Sequence, residues 1–146
     1  MDINLTQSEA EALIAMPKFK ESDQVYNYPS LGGSISVPLI SSDKRERFLL
    51  DISHGQINLS KVKYQNRARQ VCILLRLELG GSPHTNPDGA VIPCPHIHIY
   101  RENYGDKWAI PIPKDHFTDT SDYWTVFQEF VNYCNIKVLP DIQKGL

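Results

Sequence analysis

Residues 82–108 read SPHTNPDGAVIPCPHIHIYRENYGDKW, and they hold three of the five histidines in the chain. Inside them, over 95–101, Ile97 and Ile99 alternate with His96, His98 and Tyr100. A strand turns successive side chains to opposite faces. This period of two therefore predicts His96, His98 and Tyr100 on one face and the isoleucines on the other. The apolar run just upstream, 71–79, alternates as well. Val71, Ile73, Leu75, Leu77 and Leu79 share one face, and Cys72, Leu74, Arg76 and Glu78 share the other. Antiparallel pairing with both aliphatic faces on the core would bring Arg76 and Glu78 to the side of His96 and His98. The connection over 80–95 is longer than a minimal hairpin needs, and long ordered loops are often functional. Its Asn86-Pro87-Asp88-Gly89 has the residue types of a turn.

Working outward, 5–16 should form a short helix. Thr6 and Glu9 have capping-box spacing, Ala10, Leu13 and Ile14 make a narrow apolar stripe, and Pro17 ends it. Residues 18–33 show no period and are expected to be irregular, packed down by Tyr26, Tyr28 and Pro29 and closed by a Gly32-Gly33 turn. Residues 34–40 alternate Ile35, Val37 and Leu39, with Pro38 favouring an edge strand. Residues 47–54 put Phe48, Leu50, Ile52 and His54 on one face, and Gly55 turns the chain. The next strand, 56–64, slips in phase from Ile57 and Leu59 to Val62 and Tyr64, which predicts a bulge near Ser60. Residues 107–112 form a last edge strand marked by Pro111 and Pro113. Over 121–134, Tyr123, Phe127, Phe130, Val131 and Cys134 recur at helical spacing, with Thr120 or Ser121 as cap. The tail should run extended and turn at Pro140. Six strands in hairpin order between two helices give an α+β fold in one domain. Its antiparallel sheet should be strongly twisted, with part of it rolled towards a barrel.

At 146 residues, 41% hydrophobic and 22% charged, the chain has the make-up of one soluble globular domain. No apolar run reaches a membrane span, and no signal-peptide layout opens the chain, so the expected location is cytoplasmic. Cys72, Cys94 and Cys134 are too few and too scattered for a disulfide framework or a metal knuckle. The net charge of −2 is uneven: 43–76 carries eight basic residues against three acidic. A local excess of that kind can bind a polyanion.

LTQSEA, FLLDI, YQNRAR and LLRLEL, then PHTNPDG, PHIHIYRE, YGDKWA and CNI, span most of the chain. In these blocks it resembles an uncharacterised family of small bacterial proteins, a domain of unknown function. In that family the position of Asn103 is more usually glycine. The resemblance implies no activity, so chemistry must come from the residues.

An H-x-H pair offers two imidazoles, and His84 or Asp88 could add a third ligand from the loop. Only two histidines have firm ligand spacing, however, whereas a catalytic zinc needs three protein ligands. The expectation is therefore no stoichiometric metal, and no glycine-rich phosphate loop calls for a cofactor. The same residues suit metal-free cleavage of an RNA phosphodiester, with His84, His96 or His98 as acid and base. Arg76, Arg101 and Lys107 would supply cations, Glu78 or Asp88 would orient a histidine, and Lys61, Lys63, Arg67 and Arg69 would bind substrate. An RNA-directed enzyme of toxin type, with a protein partner encoded nearby, is the expected function. The alternative is a non-catalytic binding protein: an antitoxin, an immunity protein or a nuclease inhibitor.

Overall fold

Local chemistry sets the first element. Thr6 Oγ1 accepts the Glu9 N–H and Glu9 Oε1 accepts the Thr6 N–H, both at 3.1 Å, so two donors at the helix start are satisfied reciprocally. The computed structural model describes residues 4–56 and 61–144. The helix opened by this box is α1 (Gln7–Ala15), and it packs Ala10 and Leu13 into the core. Met16 is extended, as a residue before proline prefers to be.

Then come β1 (Lys18–Lys20), β2 (Tyr26–Asn27), β3 (Ser34–Ser41), β4 (Arg47–His54), β5 (Val62–Ala68) and β6 (Cys72–Leu79). A small ribbon of β7 (His84–Thr85) and β8 (Val91–Ile92) precedes β9 (His96–Ile99) and β10 (Ala109–Pro111). The chain continues through α2 (Tyr123–Tyr133), β11 (Ile136–Val138) and β12 (Ile142–Gln143). The main sheet has the order β10-β9-β6-β5-β4-β3-β1-β11. It is antiparallel except for β11, which runs parallel to β1, and it is open at both edges instead of closing into a barrel. The six strands expected from alternation are β3 to β6, β9 and β10. One core holds Leu39, Leu50, Ile52, Leu77 and Ile97 from the sheet together with Phe127 and Phe130 of α2.

Several boundaries differ from expectation. Pro38 sits in an inner strand, because β3 lies between β4 and β1. β1 pairs with Leu39, Ile40 and Ser41; just past its end the Glu21 N–H donates to the Pro38 carbonyl (3.4 Å), so the missing Pro38 N–H falls where that ladder stops. The bulge expected near Ser60 lies outside the described residues. β5 runs on to Ala68, past residue 64 where the alternation was expected to stop, since buried Asn66 disguises it. The register shifts between Asn66 and Arg67, where Leu74 is the extra residue of β6. That shift turns Cys72 and Leu74 into the core. Tyr100 leaves the histidine face too: its hydroxyl donates to the Leu5 carbonyl and accepts the Leu5 N–H. Asp122, rather than Thr120 or Ser121, caps α2, with Oδ1 accepting the Trp124 N–H.

The segments without a period became strands by pairing with distant ones: β1 with β11, and β2 with β12. Lys18 sits at this seam with 0% exposure. Its ammonium donates to the carbonyls of Ile14 (2.9 Å), Met16 (3.0 Å) and Cys134 (2.7 Å), joining the ends of both helices. Burial lowers its pKa to about 8. None of the three cysteines is in a disulfide; Cys72 and Cys134 are buried and Cys94 is half-buried.

Candidate functional site

Strand register builds the site. Across the face away from the helices, Ser36, Asp51, Gln65, Arg76 and His98 stand opposite one another in successive strands. One rung further, Ser53, Lys63, Glu78 and His96 do the same. Residues two apart share a face, so both rungs form one polar surface. β6 and β9 are thus antiparallel neighbours with Arg76, Glu78, His96 and His98 on one side, as the alternation predicted.

At its deep end the two histidines converge on one oxygen. His96 Nε2 lies 2.8 Å and His98 Nε2 3.1 Å from Glu78 Oε2. Their other ring nitrogens face backbone carbonyls, His96 Nδ1 that of Pro93 (3.3 Å) and His98 Nδ1 that of Asp106 (2.8 Å). The hydrogen bond from His98 holds the Glu78 carboxyl far below the usual carboxylate range, against the opposing effect of burial. Arg76 pairs with Asp106 and lies 3.8 Å from Glu78 Oε1. The histidines are 0% and 1% exposed, but their surroundings are polar.

The 80–95 connection covers this centre. His84 of β7 stands with its ring centroid 4.5 Å from that of His98 and 6.0 Å from that of His96, and its Nε2–H donates to the Lys107 carbonyl (2.7 Å). The Asn86 side chain fixes the loop to β10, donating to the Ala109 carbonyl (2.9 Å) and accepting the Ala109 N–H (2.8 Å). Beside the centre opens a cavity of about 370 Å³, lined by Lys61, Lys63, Glu78, Ser82 and His84 among others.

Residues 5–136 match a family of unknown function, DUF6978. The chain belongs to that family. No curated protein and no solved structure matches it significantly. In this DUF6978 member Asn103 has φ +73°, a left-handed conformation that glycine adopts freely and asparagine tolerates.

The expected site residues divide. Arg76, His84, His96 and His98 come together; Lys61 and Lys63 line the adjoining cavity, with Lys63 3.7 Å from Glu78 Oε1. Lys107 contributes its carbonyl. Arg101 stands apart, exposed, with its guanidinium 4.1 Å from the Trp108 ring centroid. Asp88 serves its own turn by accepting the Ala90 N–H. Arg67 is committed to Asp51 through Nε (2.7 Å) and Nη2 (3.0 Å), and Arg69 pairs with Glu46 and Glu9. Asp51 and Glu46 belong to 43–76 itself; its remaining excess is met in part from outside, by Glu21 on Arg47, Glu78 on Lys63 and Asp106 on Arg76. Asp106 was missed by sequence reasoning: it belongs to the YGDKW turn, and only the return of β10 beside β9 swings it over Arg76. Among the described residues, no helix is long and apolar enough to cross a membrane.

Proposed function

We propose that the protein cleaves a phosphodiester bond in RNA, as an enzyme of toxin type working in the cytoplasm. The observation that carries this reading is the cavity, where His84, Glu78, Lys61 and Lys63 face one volume of about 370 Å³. Cleavage needs a base for the 2′-hydroxyl, an acid for the leaving oxygen, and cations for the charge growing on phosphorus. His96 and His98 are too buried to touch a polymer. Glu78 reaches the cavity in front of them but stays ionised and fixes the two rings, so His84 takes the hydroxyl proton and returns it to the leaving 5′ oxygen. Lys61 and Lys63 hold the phosphate.

Two rate measurements on purified protein with a labelled oligoribonucleotide test this. His84→Ala should lower turnover by ~10²–10⁴, the usual worth of an acid–base group. Lys61→Ala and Lys63→Ala should instead weaken binding and flatten its salt dependence. Expression of the wild type without neighbouring genes should arrest growth and fragment transcripts. Harmless expression with intact RNA would sink the proposal.

A second reading, a non-catalytic partner of a protein encoded nearby, draws support from one observation. Arg67, Arg69 and Arg76 are each tied to a carboxylate, which takes three of the eight basic residues of 43–76 away from a polyanion. Under this reading a pull-down returns one specific protein, and no RNA tested is cut.

A further inference from the structure

We propose that Glu78, His96 and His98 form a binding site for a divalent transition-metal ion, with zinc the best match. The argument starts from the ring nitrogens. A carbonyl oxygen and an ionised carboxylate both only accept, so each ring stands between two acceptors, Nδ1 against the carbonyl of Pro93 or Asp106 and Nε2 against Glu78. The 3.4 Å approach of Arg76 Nη2 to His98 Nδ1 is the weaker of that atom's two contacts and does not change this. A neutral ring carries one hydrogen, so where that hydrogen lies on Nδ1 the lone pair of Nε2 faces the same carboxylate oxygen, Glu78 Oε2. Lone pairs facing lone pairs at 2.8 Å and 3.1 Å repel unless something positive lies among them.

Two arrangements supply that charge. Protonating both rings puts two imidazolium ions, beside Arg76, in a place with 0% and 1% exposure, against one carboxylate. Burying charge at that ratio is costly. A single metal ion satisfies all three donors at once. Carbonyls that hold Nδ1–H and aim Nε2 are the usual outer support of a histidine ligand. The three ligand atoms lie within 4.8 Å of one another. Bonds of about 2.0–2.2 Å in a tetrahedron need roughly 3.4 Å between ligand atoms, so small side-chain shifts close the set. Two imidazoles and a carboxylate form the donor set of a catalytic zinc with one position left open.

The sequence offered two ligands and hence no metal; the third comes from the neighbouring strand, through the Glu78–His96 register. Lys63 and Arg76 balance Glu78 and Asp106, so a bound divalent ion would leave the centre at about +2 and draw an anionic fourth ligand. With the ion in place, Glu78 is its ligand, and proton transfer stays with His84. The inference stands without the RNA reading, because it is tested without RNA.

Untagged protein, stripped with chelator and dialysed, is titrated with Zn²⁺ by calorimetry and with Co²⁺ by visible absorption. The expected result is one equivalent per chain and the intense visible bands of tetrahedral cobalt. His96→Ala/His98→Ala should abolish both. Glu78→Gln, which keeps the shape of the side chain, should weaken binding more than ~100-fold, beyond the loss typical of outer-shell changes. Circular dichroism checks each fold, and Glu78→Gln decides the matter if the double variant unfolds. His84→Ala should retain the ion. Absence of binding in the wild type, or wild-type affinity in Glu78→Gln, would overturn the assignment.

Discussion

Replacing Lys18 by methionine sets two large effects against each other. The variant removes a buried charge whose pKa falls from 10.5 to about 8, and a shift of that size corresponds to roughly 3 kcal/mol opposing the charged form. It also orphans the carbonyls of Ile14, Met16 and Cys134, each of which loses an ammonium hydrogen bond. An unsatisfied buried acceptor costs about 1–3 kcal/mol, so three cost roughly 3–9. The carbonyls win, and the net loss should be about 3 kcal/mol. For a chain of this length that lowers the melting temperature by about 10 °C, read by circular dichroism at pH 7. The pH dependence supplies the sign. Below about 8 the amine is charged in both states. Between about 8 and 10.5 the unfolded chain keeps a proton that the folded chain has released, so wild-type stability gains on the variant as pH rises through that window. A variant as stable as wild type at pH 7 would refute the argument, because it would mean the amine's desolvation outweighs its three bonds.

Two further perturbations test the fold. Burial pushes the Asp51 carboxyl up, but its bonds from Arg67, Ser36 and Gln65 outweigh this and hold it below the usual 3.8. Its contribution is thus present above about 3.8 and lost as pH falls further; Asp51→Asn should cost about 1–3 kcal/mol at pH 7 and flatten the acid limb of urea-monitored stability, and an unchanged limb would exclude Asp51 as its source. Tyr64→Phe removes a hydroxyl that donates to the Tyr123 carbonyl (2.9 Å) and lies 2.5 Å from the Tyr28 hydroxyl, so it should cost about 1–3 kcal/mol by chemical denaturation; a loss below about 0.5 would mean that water replaces it.

What the sequence disclosed follows from where each constraint lies. The polar face of β6 and β9 was legible because a period of two belongs to each strand alone, and hydrophobic burial then fixes how Arg76 and Glu78 meet His96 and His98. The thresholds of that legibility are visible at Leu74 and Tyr100. One extra residue at Leu74 reverses the phase of Cys72, and a strand that ends at Ile99 frees Tyr100 to reach Leu5. Convergence on one oxygen of Glu78 was not legible, since alternation gives a face and not an atom. Lys18 and Asp106 were hidden for a different reason. Their partners lie on elements far away in sequence or across a returning turn, and nothing local marks a lysine for burial. The pairing of the basic stretch was not legible, because a count along the chain does not show which carboxylates from elsewhere, such as Asp106 on Arg76, come to meet it.

The grip of Asn86 on Ala109 has a consequence for solubility. β10 is an outer strand, and outer strands offer unpaired amides on which another chain can template itself. Here the Asn86 amide takes both outward groups of Ala109, as a neighbouring strand would. Pro111 has no N–H to offer, and by the alternation of an antiparallel ladder the Ile110 groups turn inward to β9. The rim of the sheet nearest the histidines therefore presents no donor ladder to a second molecule. A single asparagine side chain, standing in for a missing strand, denies fibrillar growth its template at that edge.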